Sequence, residues 1–96
     1  MPKPEDIMIS VSEGDVEKVK TMLKEAPFLI RARDGAGRTP LSVAAWCGHA
    51  QVAELLIDFG ADINVQDRYG WTPLREAEVS NRRAVVDLLR QRGARE

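Results

Sequence analysis

Ninety-six residues suit one domain, and 14 Lys and Arg set against 15 Asp and Glu leave a formal charge of −1. That balance argues against a nucleic-acid binder driven by phosphate neutralisation. One cysteine excludes an internal disulfide and fits a reducing compartment; with one histidine beside it, no zinc ligand set can be assembled. The first ten residues hold no basic leader followed by an apolar stretch, and no run of about 18 apolar residues exists to span a membrane. A cytoplasmic, non-membrane protein is the expectation.

Taken in chain order, Pro2 and Pro4 predict a short disordered lead-in. A first helix follows with Ile7 and Ile9 as core, and Gly14 separates it from a second carrying Val19, Met22 and Leu23. The segment Pro27–Arg31 holds one extra residue relative to what comes later; Phe28 and Leu29 are expected to tuck beneath it. Next, Thr39 stands where a hydroxyl caps a helix start and Pro40 where a missing N–H costs nothing. They predict a short helix Leu41–Cys47, with Leu41 and Val43 in the core, stopped by Gly48. A second helix, Gln51–Phe59, carries Val52, Leu55 and Leu56 at helical spacing and stops at Gly60. Ala61–Asn64 then leads to a turn at Asp67–Gly70.

That turn begins a repetition. Asp34-x-x-Gly37-x-Thr39-Pro40-Leu41 returns 33 residues later as Asp67-x-x-Gly70-x-Thr72-Pro73-Leu74. Ala44 then matches Ala77, Val52 matches Val85, Leu55-Leu56 matches Leu88-Leu89, and Gly60-Ala61 matches Gly93-Ala94. Asn81 takes the place of Gly48, as the next residue most tolerant of left-handed backbone. A fixed period of this length marks a stacked array whose units bury their apolar faces against one another.

At these residues the chain resembles the ankyrin-repeat family. The resemblance covers nearly the whole chain and implies an all-α solenoid: three stacked antiparallel helix pairs joined by projecting β-turn or hairpin loops. One domain, 1–96, would divide into an N-terminal cap at 4–33, an internal repeat at 34–66 and a C-terminal cap at 67–96. Charged residues at both ends, including Glu76, Glu78, Arg82 and Arg83, fit polar outer faces. Where the family usually has histidine after Thr-Pro-Leu, this chain has Ser42 and Arg75. The loss of that two-ended imidazole bridge predicts weaker cohesion between units.

The resemblance implies a non-enzymatic module that binds a protein or peptide on its concave face, built from turn tips and first helices. No catalytic group, cofactor or metal is expected. His49 has a structural reading, and Cys47 is an accessible thiol without a basic partner to activate it. The free positions on that face are Met8, Ser12 and Glu13, then Arg33, Gly35, Ala36, Arg38, Trp46 and Cys47, then Gln66, Arg68, Tyr69, Trp71, Val79 and Ser80. Of these, Arg33, Arg38, Trp46, Cys47, Arg68, Tyr69, Trp71 and Val79 are the candidate contacts, because aromatics and arginine most often anchor interfaces. Trp71 and Arg38 also have a scaffold reading, packing along the loop. A basic edge beside aromatic rings implies a partner with acidic and apolar residues. A monomer is expected, with a homodimer through the exposed aromatics as alternative. The rival readings are a minimal or engineered scaffold, or a fragment of a longer array, with no dedicated partner.

Overall fold

Six helices in three antiparallel pairs make up the computed structural model, which describes residues 2–95. They are α1 (Pro4–Glu13) with α2 (Val16–Glu25), α3 (Pro40–Cys47) with α4 (Ala50–Asp58), and α5 (Pro73–Val79) with α6 (Arg83–Gln91). Helix α3 packs between α1 and α5, and α4 between α2 and α6, so the pairs stack in two layers. No strand occurs among the described residues. This is the all-helical solenoid that the repeat implies.

Helix starts follow the residues that cap them. Thr39 and Thr72 accept hydrogen bonds at Oγ1 from the N–H groups of Ser42 and Arg75, at 3.3 and 3.2 Å. Pro4, Pro40 and Pro73 occupy the first turn of their helices. Pro4 therefore opens α1 instead of lying in a disordered lead-in, with the Asp6 carboxylate reaching back to the Lys3 N–H at 2.8 Å. Gly48 ends α3 at φ 79° and Asn81 follows α5 at φ 61°, as the substitution pattern predicts.

The core is one continuous cluster. Ile7, Val19, Leu23, Leu41, Val52, Leu56, Leu74, Val85 and Leu89 are all buried within it. Val43, Leu55 and Leu88 are partly buried against it, and two expected core residues are exposed. Ile9 is 54% exposed, because α1 turns Ile7, Ser10 and Val11 inward and a residue two places from Ile7 falls on the opposite side. Phe28 is 58% exposed: the extra residue is absorbed in a 3-10 turn, Pro27–Arg31, which buries Leu29 and directs Phe28 outward. Ser10 occupies the place of Ala44 and Ala77, and its buried hydroxyl has no hydrogen-bond partner.

Polar cohesion between units comes from other residues, since Ser42 is buried and its hydroxyl lies 3.1 Å from that of Thr39. His49 donates from Nε2 to the Ser12 carbonyl at 2.9 Å, tying the second pair to the first. Arg82, at the matching position of the third pair, donates from Nε to the Trp46 carbonyl at 3.0 Å. At the loop tips, Arg68 N–H donates to the Ala36 carbonyl at 2.9 Å. A side chain at Gly37 would bring a Cβ within 3.1 Å of that Arg68 nitrogen, so the close approach of the tips requires glycine.

Candidate functional site

Each loop tip is organised by an aspartate. In the second unit, Asp34 Oδ1 accepts from the N–H groups of Ala36 and Arg38, both at 2.9 Å. Its Oδ2 accepts from Arg38 Nε at 3.0 Å, which closes an ion pair. Burial pushes the Asp34 carboxyl upward, but the two backbone bonds and the Arg38 guanidinium outweigh it and hold the pKa below the ordinary value. In the third unit, Asp67 Oδ1 repeats the backbone bonds, to Tyr69 N–H at 2.8 Å and Trp71 N–H at 2.9 Å. Position 71 is tryptophan, however, so Asp67 receives no guanidinium from it.

Its counterpart is Glu76. This residue sits where the second unit has Val43, is only 3% exposed, and its side chain hydrogen-bonds to Asp67. Burial first, then the hydrogen bond and charge of Asp67, push the Glu76 carboxyl from 4.5 up to about 7. A protonated carboxyl at that depth donates a hydrogen bond to the Asp67 side chain.

Above this pair lies a depression of about 380 Å³ lined by Ala36, Arg38, Trp46, Asp67, Tyr69, Trp71 and Glu76. Its lining comes from both loop tips, the C-terminal half of α3 and the start of α5. Trp46 is 42% and Tyr69 75% exposed, while Trp71 is half-buried with the Arg75 guanidinium 5.1 Å from its ring centre.

The predicted contact residues therefore separate. Arg38, Trp46, Tyr69 and Trp71 come together at the depression. Arg33 is held by the scaffold, its Nη1 donating to the carbonyls of Gly37 at 3.1 Å and Gln66 at 3.0 Å. Arg68 is exposed, and its guanidinium makes no hydrogen bond or ion pair among the described residues. Val79 is exposed but outside the depression, as is the half-buried free thiol of Cys47. Glu76 corrects the sequence reading: expected among the polar charges of an end cap, it is buried against Asp67. The signal lay in the alignment of the repeats, a carboxyl at a position that is apolar in the other two, Ile9 and Val43.

The sequence pattern described as ankyrin repeats (many copies) matches residues 22–77. The chain belongs to the ankyrin-repeat family. It is 40% identical over 87 residues to the serine/threonine-protein kinase VIK of Arabidopsis thaliana, a match covering 91% of this chain and 20% of that protein. It is 34% identical over 90 residues to the mouse ankyrin repeat and SAM domain-containing protein 6, covering 93% of this chain and 10% of that protein. A putative ankyrin repeat protein of Rickettsia bellii is 34% identical over 86 residues, covering 83% of this chain and 51% of that protein. The chain thus spans from a tenth to about half the length of these relatives. Ankyrin repeats are in general protein-interaction modules. Among the described residues, no helix is long and apolar enough to cross a membrane, and no group of three or more His, Cys, Asp or Glu is placed to hold a metal.

Proposed function

We propose that the chain is a non-enzymatic interaction module that seats a segment of a partner protein on its concave face, at the depression between the second and third loop tips. The observation that carries this reading is the gathering of both tryptophans and the only tyrosine around one opening, two of them substantially exposed. Rigid aromatic side chains supply large contact area at small cost in conformational entropy, and they recur as interface anchors. The scaffold uses Arg33 and Arg38 internally, which leaves Arg68 as the guanidinium on this edge to meet a partner carboxylate. An intracellular protein acting as a monomer is the accompanying reading.

Affinity capture with the immobilised chain tests it, run beside a Trp46→Ala/Tyr69→Ala double variant. Each substitution is expected to weaken retention of the same partner by about 2 kcal/mol while thermal unfolding stays unchanged. Undiminished retention by a folded double variant would remove the face from the account. Sedimentation over a range of concentrations separates the monomer from a homodimer built on the same rings.

A further inference from the structure

Resting on that reading of the face, we infer that the depression is a socket for a basic side chain of the partner, a lysine or arginine whose stem lies along Trp46 and Tyr69 and whose charged head meets Asp67 and Glu76. The lining matches such a group at both ends. Aromatic faces attract a cation and accept an alkyl stem, and carboxyl groups beneath them supply the counter-charge. The chain already shows the preference of one wall, since Arg75 lies over the Trp71 ring.

Charge balance at the floor points the same way. The groups that bear on Glu76 are Asp67 from the same loop tip, and Asp34 and Arg38 from the preceding one; Arg75 lies beside it on α5. Arg38 is closed onto Asp34 at 3.0 Å, so those two charges offset one another. The remaining pair, Asp67 and Glu76, has no guanidinium or ammonium of the chain bonded to it among the described residues. A cation arriving there takes the place of the Glu76 proton, which leaves for solvent. Binding is therefore linked to pH: a cation competes with a proton below about pH 7 and not above it.

The two indole N–H signals of Trp46 and Trp71 in a nitrogen-15 spectrum of the full chain report on the socket. They would be followed during titration with n-butylammonium chloride, n-butanol and sodium butyrate at fixed ionic strength. Butylammonium is expected to give saturable shifts, with an apparent affinity about tenfold higher at pH 8 than at pH 6. Glu76→Gln, which keeps a neutral donor to Asp67 and a dispersed spectrum, is expected to lose that pH dependence and to bind about tenfold more weakly at pH 8. Equal binding of butanol, preference for butyrate, or a flat pH profile in the wild type would overturn the cation while leaving the aromatic face as a contact surface. No saturable shift with any of the three would overturn the socket and the proposed face together.

Discussion

In the second unit the turn carboxylate of Asp34 is answered by Arg38, and the position below it is Val43; in the third unit Asp67 faces a buried Glu76, and Trp71 stands where the arginine stood. The backbone of the two turns is the same, down to the paired N–H bonds on the aspartate Oδ1. The difference is confined to side chains that the turn does not need. One corner is electrostatically closed and serves the scaffold. The other carries a desolvated acid beneath aromatic rings, an arrangement that weakens folding unless something else uses it.

The largest expected effect breaks the array on which both corners rest. Leu56 is fully buried in α4, which packs between α2 and α6, so Leu56→Ala should cost about 3 kcal/mol. Urea denaturation would show the loss as one cooperative transition of all three pairs, whereas a separate early transition would mean that the units unfold independently.

Next in size is the acid itself. Glu76 has a folded pKa of about 7 against an ordinary 4.5, so the unfolded chain gives up this proton first as pH rises. Its contribution to stability is whole below pH 4.5, declines between 4.5 and 7, and is gone above. Glu76→Gln should therefore leave stability at pH 4 unchanged and raise it at pH 8 by on the order of 2 kcal/mol. Denaturation midpoints at the two pH values check this. Asp34 behaves oppositely, its stabilising effect fading only as acid protonates it below its ordinary 3.8.

The clamps between units differ more modestly. His49→Ala removes the bond to Ser12 and should cost about 1 kcal/mol. Arg82→Ala removes the matching bond to Trp46 from an exposed guanidinium and should cost about half as much. A reversed order would show that the third pair is the more tightly tied. Smallest of all, Asn81→Gly should gain a few tenths of a kcal/mol, because its φ of 61° suits glycine better.

The scaffold was readable in the sequence because its signals are periodic and local: Thr-Pro starts, Gly or Asn stops, and Leu pairs at helical spacing. The aromatic lining of the depression was readable too, as large side chains at positions that stacking leaves free. What escaped was tertiary. A charge at position 76 looks like surface until the Asp67 turn is folded over it. Arg33 and Arg38 look available until the carbonyls of Gly37 and Gln66 and the carboxylate of Asp34 are seen to hold them. Phe28 looked like core because an insertion hides which residue of a 3-10 turn faces inward.

The cation socket proposed for this face turns on Glu76 being held as a buried acid against Asp67. The carboxyl carbon-13 signal of Glu76, followed from pH 3 to pH 9 in the folded protein, reads that directly. A midpoint near 7 is the expected result. A midpoint at the ordinary 4.5 would mean a solvated carboxylate with no claim on its neighbour, and would contradict the account.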